Sequence, residues 1–209
     1  MLKKIFIFIF FISITNLCFA QTRVHYSIKT SIGDIVLELY PLKAPVTVQN
    51  FMRYADHNLY KGSSFFRSCT LVNEADRKIK IEVIQGGDIP EDKLFPSIPV
   101  ETTKETSILH KNGVVSMARD TPNSAQSSFF ICINDQPELD FGGKRNPDGL
   151  GFAAFGKVVK GMGIVIEIQA QKEKNQYLID PVLIYAISRE GKEGVINNFF
   201  IIFVLNCLT

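Results

Sequence analysis

Cysteine and histidine are scarce in this chain. Of its four cysteines, Cys18 falls in an apolar leader, and Cys69, Cys132 and Cys207 are too few and too scattered for a disulfide framework. No CxxC or Cys/His spacing suggests a metal site. The three histidines, His25, His57 and His110, sit in unrelated contexts and read as surface or core residues. Also missing are a Gly-rich phosphate loop, a nucleophile elbow, a zinc signature and a dinucleotide fingerprint. Charge of one sign is lacking too. The formal net charge of +2 comes from Lys3 and Lys4 in the leader, and the remainder is neutral, which leaves no electrostatic footprint for nucleic acid.

What is present begins with "MLKKIFIFIFFISITNLCFAQ". Two lysines, an apolar run from Ile5 to Thr15 and "CFA" before Gln21 read as a secretory signal peptide over residues 1–20. An uncleaved anchor is the alternative, although the apolar run is short of the roughly 20 residues that a span needs. "TNL" before Cys18 lacks the small residue that precedes a lipidated cysteine. The chain's composition, 46% hydrophobic and 21% charged, suits one domain, read over residues 21–190. An apolar tail at 191–209 contains Phe199–Leu205, also too short to span a bilayer. It reads as a packed extra element, a sticky end or a weak membrane-surface contact.

Inside the domain, "RVHYSIKTSIGDIVLELY" alternates apolar and polar residues on both sides of a turn containing Gly33-Asp34, which predicts a hairpin. "PLKAPVTVQNFMRYADHN" predicts a helix entered at Pro45, with Val48, Phe51, Met52 and Ala55 at helical spacing. "KGMGIVIEIQAQ" reads as a second helix, too apolar to be exposed. Strands are predicted at Ser64–Cys69, Lys80–Gln85, Gly113–Ala118, Ser128–Ile133, Ala153–Val158 and Val182–Ser188. Many short strands with two distant helices argue for a mainly β, closed or nearly closed antiparallel structure. Two long connections, Ile89–Leu109 and Asn134–Gly151, are candidates for functional loops.

Three segments carry the chemistry: "YKGSSFFR", "IQGGD" and "SMARDTPNSAQSSFFI". With "TSIGDIVLELYPLKAPVTVQNF", "ELDF" and "FAAFGKVVKGM" in order, they resemble the cyclophilin family of peptidyl-prolyl cis/trans isomerases from about Val24 to Arg189. The resemblance implies a closed eight-stranded antiparallel barrel capped by two helices, with a groove on its outer wall. By position, Arg67 matches the family's catalytic arginine and Gln85 the glutamine that orients it. Ala118 and Arg119 match positions that bind substrate backbone. Val83, Phe130, Leu139 and Phe152 match the proline pocket, Phe66 stands for the histidine beside the arginine, and Ser128 for a glutamine of the groove. Alternation sends Phe129 and Phe130 to opposite faces, so one is core and the other can line the groove.

Rotation about X–Pro loses amide resonance and faces a barrier of about 18–20 kcal/mol. It needs no nucleophile, metal or cofactor, and none is expected here. As the bond twists, the lone pair returns to the prolyl nitrogen. A fixed guanidinium donor there binds the twisted state better than the planar one. The chain departs from the family between Arg67 and Gln85, where "NEADRK" reads as an inserted, solvated polar turn. Glu82 then stands in place of an aromatic pocket residue. Either the pocket is shallower, or the insertion shifts the register and another residue fills it. The expected protein is an exported, monomeric isomerase acting on proline-containing unfolded or flexible chains in the periplasm or another extracytoplasmic space. A proline-segment binding module or chaperone with little turnover is the alternative.

Overall fold

The computed structural model describes residues 23–191. The predicted leader, and the tail beyond Gly191, lie outside the described residues. Nine strands form one antiparallel sheet: β1 (Val24–Thr30), β2 (Gly33–Leu39), β3 (Ser64–Cys69), β4 (Val83–Gly86), β5 (Val114–Met117), β6 (Phe129–Cys132), β7 (Ala153–Lys160), β8 (Glu173–Lys174) and β9 (Tyr177–Arg189). Their order is β1-β2-β7-β5-β6-β4-β3-β9, with β9 pairing back onto β1 and the two-residue β8 attached outside β9. Eight strands therefore close a barrel, and closure removes the sheet edges that would otherwise template aggregation.

The β1–β2 hairpin forms as its alternation predicts, with Thr30 paired to Gly33. The turn is Ser31-Ile32, and Gly33 is the first residue of β2 rather than a turn residue. Tyr26, Ile28, Ile35, Leu37 and Leu39 are fully buried and line the interior. Phe129 also points inward, edge-on to Phe51 at 5.5 Å, Tyr60 at 5.6 Å and Phe65 at 5.8 Å. Each such ring pair adds about 0.5–1.5 kcal/mol beyond area burial. Phe130, the next residue, leaves this core and joins a second apolar cluster with Val83, Ile81 and Leu139 on the outer wall. The separation of the two phenylalanines follows from the two-residue period of a strand.

Two helices cap the barrel, α1 (Pro45–Asp56) and α3 (Met162–Gln169), and a single-turn helix α2 (Thr103–Thr106) lies in the long connection between β4 and β5. Pro45 at the start of α1 has fixed φ and no N–H to leave unsatisfied. No residue next to α1 caps it. Glu101 from the long connection does so instead, accepting from the N–H of Val46 at 3.1 Å and of Thr47 at 2.8 Å, where the positive end of the helix dipole favours a carboxylate. The long loop is thereby tied to the barrel. Helix α3 is less buried than its composition predicts: Val165 and Ile168 are fully buried, but Ile166 is 53% exposed. Its C-terminal end is fixed to β3, with Gln169 Nε2 donating to the Cys69 carbonyl at 3.1 Å and Ser68 Oγ donating to the Gln169 carbonyl at 3.0 Å.

Candidate active site

The segment "SSFFRSC" becomes β3, and its pairing with β4 slips between Phe65 and Arg67. Phe65 faces Gly86 and Arg67 faces Gln85, so Phe66 is an extra residue with no partner, a β-bulge that re-aims the side chains around it. Three neighbours hold the bulge. Asp88 accepts from the Ser64 N–H at 2.6 Å and from its hydroxyl at 3.1 Å. Gly86 leaves space that a Cβ would lose, since it would meet Phe65 at 2.9 Å, and Gly87 has φ +86°, in the left-handed region that favours glycine. The glycine pair of "IQGGD" is thus dictated by close packing and backbone conformation.

Bulged pairing brings Arg67 and Gln85 side by side, and the Arg67 Nη1 donates to Gln85 Oε1 at 3.0 Å. Both line a groove of about 540 Å³ on the outer barrel wall. Val83, Ala118, Ser128, Phe130, Leu139 and Phe152 line the same groove. Val83, Phe130 and Leu139 form a compact apolar floor, 0–5% exposed, and Phe152 stands edge-on to Phe130 at 5.3 Å. Behind Phe130, the buried His110 stacks on its ring and bonds to Asp140 at 2.7 Å and to Ser116 Oγ at 3.0 Å. A serine, a histidine and an aspartate in line suggest a hydrolytic triad. The Ser116 hydroxyl is fully buried, however, so the trio braces the floor.

Two of the expected site residues stand differently from their sequence reading. Phe66, the bulged residue, does not line the groove; its ring stacks on Tyr177 at 6.3 Å. The Arg119 side chain is 1% exposed and fully engaged, bonding Asp148 through both Nη atoms at 2.8 Å and the Gly151 carbonyl at 2.6 and 2.9 Å. It pins the Asn134–Gly151 loop beside the groove, and the part of Arg119 left facing solvent is main chain. In return, those hydrogen bonds hold the Asp148 carboxyl below the usual carboxylate range. Ser128 offers its carbonyl to the Ala118 N–H at 2.9 Å.

Two expectations about the insertion are also corrected. Glu82 does not reach the groove. Its carboxylate accepts from Asn134 Nδ2 at 2.9 Å, while Ile81 takes the place on the apolar floor beside Val83. Val83 and Gln85 keep their places on the groove face, and Ile81, two residues before Val83, supplies the lining that Glu82 does not. Nor is "NEADRK" merely solvated: Glu74 is 1% exposed. It pairs with Arg145 at 2.6 and 2.7 Å and accepts from the Ile81 N–H at 2.9 Å. Another participant was missed altogether. Gln176, from the turn between β8 and β9, accepts from Arg67 Nε at 3.1 Å and from Nη2 at 2.5 Å. It is 109 residues from Arg67, and no sequence pattern links the two.

The two cysteines of the described residues, Cys69 and Cys132, are free and buried behind the groove floor. Burial pushes the Cys69 thiol up to about 11 and the Cys132 thiol up as well, so both stay protonated. Cys132 packs as a small apolar residue, and the Cys69 thiol donates weakly to Gln176 Oε1 at 3.6 Å.

A closed antiparallel barrel with a fixed guanidinium beside an apolar floor on its outer wall defines a class, and similar proteins specify it. The family described as cyclophilin type peptidyl-prolyl cis-trans isomerase/CLD matches residues 25–189. Peptidyl-prolyl cis-trans isomerase A of Dickeya dadantii is 35% identical over 159 residues, covering 75% of this chain and 76% of that protein. The peptidyl-prolyl cis-trans isomerase of Acinetobacter baylyi is 33% identical over 171 residues, 80% of this chain and 82% of the other. A Cryptosporidium parvum cyclophilin-type isomerase has the same fold, with a TM-score of 0.63 at 23% identity over 80% of this chain and 97% of its own. This chain belongs to the cyclophilin-type peptidyl-prolyl cis-trans isomerase family.

Glu74 also sets an acid sensitivity. Burial pushes its carboxyl up, but hydrogen bonds from Arg145 and from the Ile81 N–H outweigh this and hold it below its ordinary value. The folded-state value is thus lower than the unfolded one, so stability from Glu74 is complete above about pH 4.3 and is lost as pH falls through the folded value. Urea midpoints measured between neutral and acid pH are expected to drop on acidification, and the Glu74→Gln variant, weaker throughout, to show a shallower slope.

Proposed function

We propose that the protein accelerates rotation about X–Pro bonds in unfolded or flexible polypeptides, with Arg67 as its catalytic residue. The observation that carries this reading is the state of the Arg67 guanidinium. Of its five N–H donors, three are committed to Gln85 and Gln176, which leaves two at the edge of a groove with an apolar floor. A pyrrolidine ring fits against Ile81, Val83, Phe130, Leu139 and Phe152, while the main chain at Ala118 and Arg119 faces the flanking peptide. As the bond twists, the prolyl nitrogen regains its lone pair and becomes an acceptor that the planar amide lacks. A preset charged donor lowers the energy of that state selectively, and each ~1.4 kcal/mol is tenfold in rate. No covalent intermediate is required. The Cryptosporidium parvum isomerase was also solved in the presence of an Ala-Pro dipeptide, which supports a proline-containing ligand for this groove.

Catalysis of cis-to-trans relaxation in a proline tetrapeptide is expected to fall about 100-fold in Arg67→Ala, the scale for removing a preorganised donor, with peptide affinity little changed. Equal, uncatalysed relaxation in both proteins would leave a proline-segment binding module, or a chaperone without turnover, as the reading. For the pocket, Ile81→Ala should weaken peptide binding about fivefold, the worth of roughly 1 kcal/mol of apolar contact. Glu82→Ala should change it less than about twofold, as surface substitutions do; the reverse ranking would return Glu82 to the pocket.

We further propose that the protein works outside the cytoplasm as a monomer, on exported chains whose folding waits on prolyl isomerisation. The leader-like residues 1–20 support this reading. The expected outcome in cell fractionation is a periplasmic or secreted protein whose N-terminus, read by mass spectrometry, is Gln21. A cytoplasmic protein that retains Met1 would overturn it.

A further inference from the structure

Gln176 occupies a place that its backbone does not favour. The hairpin between β8 and β9 has a two-residue turn, Asn175-Gln176, with Lys174 paired to Tyr177. Both turn residues have positive φ, 54° for Asn175 and 73° for Gln176. Such turns favour Asn followed by Gly. Asparagine is where it should be, but glutamine stands at the glycine position, and a long side chain there is strained. A strained residue in contact with the groove's arginine points to a role for its side chain.

Every polar atom of that side chain is engaged. Its Oε1 sits in the fork of Arg67 Nε and Nη2, at 3.1 and 2.5 Å. Its Nε2 donates to Glu74 Oε1 at 3.2 Å. Donors on one side and a carboxylate on the other permit a single orientation of the amide. The Gln176 main chain is fixed too, its carbonyl accepting from the Ser68 N–H at 2.8 Å and its N–H donating to Glu173. Glu74 in turn is locked by two hydrogen bonds from Arg145. A chain of contacts therefore runs from Arg145 through Glu74 and Gln176 to Arg67.

We infer that Gln176, held by the buried Glu74 of the β3–β4 insertion, is a second positioning residue for Arg67 that governs turnover rather than peptide affinity. Gln85 alone holds one Nη1 donor and leaves the guanidinium free to swing about that contact. An oxygen in the Nε–Nη2 fork removes that freedom, so the two anchors together define the plane in which the remaining donors lie. The insertion that sets this chain apart is therefore part of the machinery: it carries the carboxylate that aims the glutamine that aims the arginine. This inference rests on the isomerase reading of Arg67.

Two substitutions at one position separate positioning from folding. Gln176→Gly removes the acceptor and relieves the turn. Gln176→Leu removes the acceptor and keeps the strain. In the full chain, thermal midpoints should move in opposite directions, at or above the parent for Gln176→Gly and below it for Gln176→Leu. The value of kcat, from exchange NMR on a proline tetrapeptide, should fall about tenfold in both, with the peptide Kd within about twofold of the parent. Activity that follows the thermal midpoint, or a Gln176→Gly variant with parental kcat, would overturn the inference. A second readout does not depend on activity: the Arg67 Nε–H resonance should report a rigid side chain in the parent and a mobile one in Gln176→Gly. Equal mobility in both overturns the inference even if the isomerase reading stands. If the parent itself proves inactive, that reading fails, and the NMR comparison alone still decides whether Gln176 fixes Arg67.

Discussion

The barrel is packed shut, and the rest of the molecule follows from that constraint. Eight strands leave an interior only wide enough for side chains, and Tyr26, Phe65, Phe129 and Phe155 are among those that fill it, all fully buried. No ligand can enter. Any site must be built on the outer wall, from the residues that alternate with the core: Val83 and Gln85 beside Ile84, Phe130 beside Phe129. Each strand of this region thus has one face for stability and one for binding. A single-residue slip in register would exchange the two sets and abolish both.

The outer wall alone makes no pocket, because a barrel surface is convex. Loops supply the concavity. The Asn134–Gly151 connection lies along the floor, and its C-terminal part is pinned twice, by Arg119 through Asp148 and Gly151 and by its own Arg145 through Glu74. Arg119 and Arg145 are thus spent on architecture, while Arg67 keeps donors in hand. The bulge at Phe66 is the other departure from a plain barrel. It gives Arg67 a partner in Gln85, at the cost of an unpaired residue whose ring must find shelter on Tyr177.

Much of this was legible in the sequence where local rules dominate. Period-2 alternation reveals the hairpin, most of the strands and the opposite facing of Phe129 and Phe130, but not β8 or the first five residues of β9. The resemblance to cyclophilins points to Phe130 in the groove and to Arg67 beside Gln85. What escaped shares a physical cause. The bulge is one residue of slippage that alternation cannot register, and the resemblance alone places Phe66 at the groove. The insertion breaks the periodic pattern, so neither Ile81 on the floor nor the buried Glu74 could be seen. A charged hexapeptide reads as solvated because most charged residues are, and Glu74 is buried only because a partner 71 residues away reaches it. The Gln176 contact is longer still. Hydrogen bonds between distant loops leave no trace in spacing.

Arg67 is oriented by two amides rather than by a carboxylate, and this choice has an electrostatic consequence. A carboxylate would hold the guanidinium more tightly, as charge-assisted pairs do, but it would also cancel much of the field that the arginine projects into the groove. Amide oxygens fix direction without neutralising charge. The carboxylate that completes the assembly, Glu74, is set one residue back, with its own charge already answered by Arg145. Arg67 therefore faces the groove as a cation whose direct side-chain ligands are neutral and cannot titrate.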